Sequence, residues 1–166
     1  MKGIELTGSY DEGPWSVYGN LAWSEAKGTQ INSAQFNFAQ SELAFIQSNW
    51  IYLDHNQSLT GSAGGAYTFN HTTDYATRLS ADFIYGNGLR KTVVTPNDQA
   101  VPPYAVINLS AAQKVPIKGT RGATVRFDVL NLLDNSYQLR DGTGVGVGAP
   151  QFGLRRTFLV SLTQKF

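Results

Sequence analysis

Apolar and polar side chains alternate with a period of two along most of this 166-residue chain, and this feature constrains its fold more than any other. Near the end of the chain, Phe158, Val160 and Leu162 share one face of an extended segment. Ser161 and Thr163 fall on the opposite face. Because successive side chains of a strand point to opposite sides, the alternation predicts strands that have one apolar and one polar face.

Seven strands are predicted from the alternation. Most are long enough to cross a bilayer, for which a tilted strand needs about 9–11 residues. They are expected at residues 3–10, 15–27, 56–69, 75–87, 104–116, 122–134 and 155–166. One or two helical turns are expected at residues 39–47, inside the first long connection. The expected fold class is therefore all-β, an antiparallel transmembrane β-barrel segment of about seven meandering strands.

Short and long connections take turns along the chain. The short ones are expected at residues 11–14, 70–74 and 118–121, and the long ones at residues 28–55, 88–103 and 135–154. Outer-membrane barrels have short periplasmic turns and longer extracellular loops. If the last strand ends in the periplasm, all three short turns fall on that side.

Aromatic side chains collect near the predicted strand ends, as they do in the two girdles of membrane barrels. The periplasmic group is expected to comprise Tyr10, Trp15, Phe69, Tyr75 and Phe166, and the opposite group Trp23, Tyr85 and Tyr104.

A soluble β-sandwich would also alternate, with its apolar faces packed on a core. Two features favour the membrane barrel. The polar faces are rich in Ser, Thr and Asn but poor in Lys and Glu, and charged residues make up only 15% of the chain, whereas soluble domains reach about 25%. The long connections also exceed what compact soluble domains usually carry. A soluble binding module stays as an alternative.

Composition excludes several classes of function. Phosphate binding needs a clustered positive surface, so the formal net charge of +1 argues against nucleic acid as a partner. The absence of cysteine excludes disulfides, zinc–thiolate sites and thiol catalysis. No run approaches the ~18 consecutive apolar residues of a transmembrane helix.

No candidate residues have the spacing or motif that catalysis, metal binding or cofactor binding requires. His55 and His71 stand alone in connections, without the spacing of a metal site. The alternate glycines from Gly142 to Gly148 do not form a dinucleotide fingerprint. No nucleophile elbow, Walker sequence or paired catalytic carboxylate is present. The chain is therefore expected not to be an enzyme and to use no cofactor.

The C-terminal third carries distinctive motifs: residues 125–137 read VRFDVLNLLDNSY and residues 148–153 read GAPQFG. Upstream of it, residues 85–90 read YGNGLR. Together these segments resemble the last strands of TonB-dependent receptors. The residues that carry the family motif are Asn131, Leu132, Leu133, Asp134, Tyr137, Arg155 and Arg156. The resemblance implies an outer-membrane receptor of a Gram-negative bacterium, for TonB-dependent uptake of a scarce solute such as siderophore-bound iron or cobalamin.

Such receptors have barrels of about 22 strands with a plugged lumen. Residues 1–166 are therefore expected to be the C-terminal portion of such a barrel and to form an incomplete barrel by themselves. The signal peptide and the plug domain are expected to be absent from them. The implied partners are outer-membrane lipid, the barrel assembly machinery, TonB through the missing N-terminal plug, and a small-molecule ligand at the extracellular loops. A passive porin-like or structural barrel segment is the alternative function.

The resemblance also implies roles for individual residues. Four charged residues on polar faces, Arg78, Asp82, Arg126 and Asp128, are expected to face the lumen, in ion pairs with the plug or neighbouring strands or in contact with a passing ligand. The row formed by Phe158, Val160, Leu162 and Phe166 resembles the signal that the assembly machinery reads, although Gln164 is polar within that row.

Two further groups are read from side-chain chemistry. Asn131 and Asp134 are expected to be structural, because short polar side chains bond nearby backbone where a strand enters a loop. The first long loop carries Phe36, Phe38, Phe45, Trp50 and Tyr52. These rings suit either a polar organic ligand or packing of the loop on itself.

Overall fold

The computed structural model describes residues 1–31, 38–117, 122–143 and 148–164, which fold mainly into one antiparallel sheet. Its seven strands are β1 (Lys2–Glu12), β2 (Trp15–Glu25), β3 (Leu59–Phe69), β4 (Thr77–Gly86), β5 (Tyr104–Val115), β6 (Ala123–Leu130) and β7 (Thr157–Gln164). Each strand pairs with the next strand along the chain, so the sheet is a simple meander. The predicted all-β class and the count of seven strands are confirmed.

Several strand boundaries differ from the prediction for local reasons. The strand expected at 122–134 ends at Leu130, because Asn131 has φ +51° and leaves the extended conformation. The strand expected at 155–166 begins at Thr157, because Arg155 and Arg156 are held by Asp134. Residues 165 and 166 of that strand lie outside the described residues, as does the short turn at 118–121.

The long loops contain small elements of their own. The helix expected at 39–47 is α1 (Gln40–Ser48), and the Glu42 carboxylate accepts a hydrogen bond from the Ala39 backbone N–H. Each long loop also holds one pair of short strands: Lys27–Gly28 with Ile51–Tyr52, Arg90–Lys91 with Gln99–Ala100, and Gln138–Arg140 with Gln151–Phe152. These pairs were not predicted, because two or three residues are too few to display a period. Among the described residues, no helix is long and apolar enough to cross a bilayer.

The register of the sheet gathers the apolar side chains on one face, here called the apolar face. One paired row crosses all seven strands through Tyr10, Val17, Gly65, Ala81, Leu109, Val129 and Phe158. The neighbouring row, on the opposite or polar face, runs through Asp11, Ser16, Ala66, Ser80, Ser110, Asp128 and Leu159. The two faces therefore differ in polarity over the whole width of the sheet.

Large side chains of the apolar face are uncovered. Val160 is 75% exposed and Leu162 is 70% exposed, and Ile4 at the other edge is 66% exposed. The fully buried apolar side chains Ile46 and Val101 lie in the long loops. A β-sandwich buries its apolar faces between two sheets, but no second layer of described residues covers this face. Soluble monomers rarely expose a contiguous apolar patch of this extent.

Both edges of the sheet are open. β1 pairs only with β2, and β7 pairs only with β6. Within the described residues β1 and β7 do not meet, so the sheet is not a closed barrel, as predicted. Each edge leaves a row of backbone N–H and C=O groups without a strand partner.

The aromatic groups agree in part with the expected girdles. At the end with the short turns, Trp15 packs edge-on against Tyr67, and Tyr67 packs likewise against Phe69. Tyr104 does not belong to an outward girdle, because its register position opposite Gly86 puts it on the polar face, where it stacks on Tyr137. Phe166 lies outside the described residues.

The difference between the faces predicts unequal effects of charge. Ser80 and Ala81 are adjacent small residues near the middle of β4, on the polar and the apolar face respectively. An Arg at the membrane midplane costs roughly 2–4 kcal/mol on the lipid side of a barrel. We expect Ala81→Arg to lower the free energy of unfolding of the full-length protein in bilayers by about that amount, and Ser80→Arg to lower it by much less. Equal losses in denaturant titrations of the two variants would contradict the assignment of the faces.

Candidate functional site

The four charged residues expected to face the lumen all lie on the polar face. Arg126 and Asp128, two residues apart on β6, form an ion pair with 2.7 Å between Nη2 of the arginine and Oδ1 of the aspartate. Arg78 and Asp82 are not paired with each other: Arg78 donates to Thr68 Oγ1 at 3.4 Å, and Asp82 accepts from the Tyr18 hydroxyl at 2.9 Å. Of these four residues, Arg126 and Asp128 therefore pair with each other, whereas Arg78 and Asp82 each bond an uncharged side chain.

The Tyr18–Asp82 hydrogen bond crosses three strands of the polar face. Tyr18 on β2 reaches over Gly64 on β3 to Asp82 on β4. A Cβ atom at Gly64 would lie 2.5 Å from Asp82 Oδ1 and would clash with the Tyr18 ring. The bridge therefore requires glycine at this position, and it explains why an aromatic residue interrupts the polar alternation of β2.

A second polar contact joins β1 and β2 and was not predicted. Asn20 Nδ2 donates to Glu5 Oε1 at 2.7 Å and to Thr7 Oγ1 at 3.0 Å. The signal in the sequence was the polar phase of β1, in which Glu5 and Thr7 alternate with Ile4 and Leu6.

The family-motif residues form a compact structure, here called the clasp, which comprises Asn131, Leu132, Asp134, Arg155 and Arg156. Asn131 is buried, and its Nδ2 donates to the carbonyls of Asn135 and Leu154 at 2.8 and 2.9 Å. Its backbone N–H donates to Asn108 Oδ1 at 2.9 Å on β5. Asn131 therefore joins the end of β6 to its neighbouring strand and to the segment before β7.

Asp134 is the acceptor at the centre of the clasp. Its Oδ2 accepts from Arg155 Nη2 at 2.6 Å, and its Oδ1 accepts from Arg155 Nε and from the Arg156 backbone N–H, both at 2.9 Å. The Arg155 guanidinium, followed by the Arg156 N–H, holds the pKa of Asp134 well below its ordinary value. The carboxylate is therefore ionised at any physiological pH.

The other motif residues divide between packing and exposure. Leu132 donates its N–H to the Ile107 carbonyl at 2.8 Å, whereas Leu133 is exposed. The Tyr137 ring stacks on Tyr104 at 4.8 Å and lies against Gly153, where a Cβ atom would overlap it. Tyr137 of the motif and Gly153 of the GAPQFG segment are thus contact partners.

The row that resembles an assembly signal lies on the apolar face in its described part. Phe158, Val160 and Leu162 are exposed there, and Phe158 stacks with Phe127 of β6. Gln164 continues the row opposite Ala123. Phe166 lies outside the described residues.

The three long loops contact one another and form what is here called the loop cap: the described parts of residues 26–58, 87–103 and 131–156. The Arg90 guanidinium lies 3.7 Å from the Tyr52 ring centroid, and Asn97 Nδ2 donates to the Tyr52 carbonyl at 2.8 Å. Arg140 of the third loop contacts His55 of the first. The aromatic residues of the first loop are therefore mixed in role: Tyr52 packs within the cap, Trp50 is 69% exposed, and Phe36 lies outside the described residues.

The loop cap buries a carboxylate that sequence reasoning did not single out for burial. Asp54 is 6% exposed, and its Oδ1 has no hydrogen-bond partner among the described residues. Burial raises the pKa of Asp54, although Asn97, His55 and Arg140 act in the opposite direction. No group of three or more metal-ligating side chains occurs in the part of the chain that the structure describes.

The raised pKa of Asp54 gives the loop cap a pH dependence with a defined sign. A carboxyl whose pKa is higher in the folded cap than in the unfolded chain binds its proton more tightly when folded, so the cap gains stability as the pH falls from 7 toward ~4. We expect cap amides to show higher exchange protection, corrected for intrinsic rates, at the lower pH. Asp54→Asn should be better protected than the native cap at pH 7 and should lose this pH dependence. If the protection of the native cap does not change with pH, or decreases as the pH is lowered, the role of Asp54 is contradicted.

Comparison with known proteins supplies the family. A protein-family model described as TonB dependent receptor-like, beta-barrel matches residues 1–132. The matched segment contains β1 to β6 and the first two residues of the clasp. Among curated proteins no match is found, and no solved structure matches the chain.

The family consists of outer-membrane receptors and transporters of Gram-negative bacteria, which bind small molecules and act with TonB; it is a transporter family and not an enzyme family. The match spans well over half of the 166 residues, and the open meander with one uncovered apolar face agrees with a barrel wall. The chain belongs to the TonB-dependent receptor-like β-barrel family.

Proposed function

We propose that this sheet is the C-terminal arc of the barrel of a TonB-dependent receptor. The observation that carries the proposal is the uncovered apolar face that runs across seven strands whose two outer edges both lack a partner. In hydrocarbon, each unsatisfied backbone group costs several kcal/mol. Further strands must therefore pair with β1 and β7, and a barrel of about 22 strands would supply them.

In this arrangement the apolar face contacts outer-membrane lipid, and the polar face lines the lumen. Arg78, Asp82, Arg126 and Asp128 then face the lumen and the plug that fills it. The meander places the three long loops at one end of the sheet and the short turns at the other. The loop cap accordingly lies outside the cell, since short turns are periplasmic in such barrels.

The work of the receptor is uptake of a scarce solute, such as siderophore-bound iron or cobalamin. The loop cap contributes to capture of the solute, and the lumen gives it passage. TonB supplies energy through the plug, which the proposal assigns to a part of the receptor outside these 166 residues. The row of Phe158, Val160, Leu162 and Phe166 is the signal that the barrel assembly machinery reads during insertion.

Uptake tests this proposal directly. In a receptor-deficient strain, the full-length receptor that contains this sheet should support growth on a ferric siderophore or cobalamin only when TonB is present. Residues 1–166 expressed alone should support none, because a solute moves against its gradient only if an energy-coupled gate acts on it.

Removal of the plug from the full-length receptor is the matched control. Without the plug, any remaining uptake should be passive and independent of TonB. Uptake by the intact receptor that needs no TonB would instead support the passive porin-like alternative, and TonB-dependent growth on residues 1–166 alone would overturn the proposal.

The open edges predict how these residues behave when purified by themselves. An exposed edge strand next to a broad apolar face is a template for pairing with other chains. We expect residues 1–166 to aggregate in water and to stay dispersed only in detergent, as measured by light scattering and sedimentation. A monodisperse, folded monomer in water would support a soluble β-domain instead.

A further inference from the structure

The alternation of apolar and polar residues in β6 and β7 does not by itself select the observed register. Phe158, Leu159 and Val160 are three consecutive apolar residues, so the alternation is weakest here. In the observed register Leu159 lies opposite Asp128. If β7 moved by two residues, Leu159 would lie opposite Leu130 and Asp128 opposite Ser161, which pairs like with like. A two-residue shift also keeps each side chain on its own face.

The length of the connection between the strands does not fix the register either. Two-residue hairpins fix register through the geometry of their turn. Here the connection runs from residue 131 to residue 156. β7 is also an edge strand of this sheet, without a second neighbour to hold it.

We propose that Asp134 is the positioning residue that sets the register of β7. Its carboxylate binds the Arg155 guanidinium through both oxygens and also accepts the Arg156 backbone N–H, immediately before β7 begins at Thr157. A bidentate pair fixes orientation as well as distance. The bond to the Arg156 N–H fixes the main chain itself, so the first residue of β7 has one position along β6.

Asp134 is itself anchored to the preceding strands. Its N–H donates to the Asn131 carbonyl at 2.9 Å, and it adopts φ +55°. Asn131 in turn bonds Asn108 of β5 and the carbonyl of Leu154. The clasp therefore connects β5, β6 and the approach to β7, and a two-residue shift, about 6.7 Å along the strand, would break all three bonds that Asp134 accepts.

The register of β7 has a consequence for the barrel, and this step rests on the proposed function. The stagger of strands around a barrel must be consistent for the sheet to close. A shift of the last strand would misplace the hydrogen-bonding groups that it offers to the strand that closes the barrel. Asp134 would therefore influence how the barrel closes, although it lies outside the strands.

Disulfide cross-linking can measure the register, because residues 1–166 contain no cysteine. Any cysteine elsewhere in the full-length receptor is first replaced by serine. Cysteines at Thr124 and Thr163 are paired in the observed register. Cysteines at Arg126 and Thr163 are diagonal in that register and become paired only after the two-residue shift. Directly opposed Cα atoms lie about 4.5–5.5 Å apart, within disulfide reach, whereas diagonal ones do not. The measurement is the yield of each cross-link in the full-length protein in isolated outer membranes.

We expect the yield ratio of the 124–163 pair to the 126–163 pair to fall by roughly tenfold in Asp134→Ala, the change expected when a strong charge-assisted contact is lost. Asp134→Asn keeps an acceptor for the Arg156 N–H and should give an intermediate ratio. Asp141→Ala is the matched control, because this carboxylate of the same loop bonds only Thr143 among the described residues.

An unchanged ratio in Asp134→Ala would overturn the proposal. If Asp134→Ala does not accumulate, Asp134→Asn provides the test. A yield ratio in Asp134→Asn that is not lower than in Asp141→Ala would then overturn the proposal. The readout does not depend on uptake: a receptor that proves not to transport with TonB would refute the proposed function and leave the register result standing.

Discussion

Antiparallel register is the constraint on which the other features of this molecule depend. A slip of one residue turns every side chain of a strand to the opposite face. Six successive pairings keep the same phase, so that Tyr10 at one edge and Phe158 at the other belong to one apolar row. The sheet therefore presents two surfaces of opposite polarity, as the proposed contact with lipid and the proposed polar lumen require, although it has almost no core of its own.

The polar groups of the molecule are distributed according to this division. On the polar face they satisfy one another across strands, as in the bridge from Tyr18 to Asp82 and the contact of Asn20 with Glu5. At the loop end they hold main chain: Asn131 and Asp134 bond backbone groups before β7. The loop cap contains the fully buried apolar side chains and a buried carboxylate. Strand pairing thus holds the sheet together, whereas apolar packing and polar contacts hold the loop cap together.

The sequence predicts the seven-stranded sheet well and the contacts outside the sheet poorly. Period-two alternation is a local signal, so the seven strands and their faces follow from it. The helix in the first long loop was expected separately, from residues 39–47. The end of β6 depends on a positive φ at Asn131, and the only local signal for it is the short polar side chain of that residue. The start of β7 depends on the Asp134 carboxylate, which bonds Arg155 from 21 residues earlier, so this boundary has no local signal. Tyr104 differs, because the alternation with Ile107 and Leu109 already puts it on the polar face; its stacking on Tyr137 is what has no local signal. Burial of Asp54 likewise depends on three loops that meet only in the folded chain.

The contact of the apolar face with lipid is the central claim, and β6 offers the most direct measurement of it. Single cysteines at residues 124 to 129 of the full-length protein can each carry a fluorophore, because residues 1–166 contain no cysteine. Any cysteine elsewhere in the receptor is first replaced by serine. In bilayers that contain nitroxide-labelled phospholipid, quenching should be strong at Val125, Phe127 and Val129 and weak at Thr124, Arg126 and Asp128. Quenching that does not alternate, or that alternates in the opposite phase, would contradict the account.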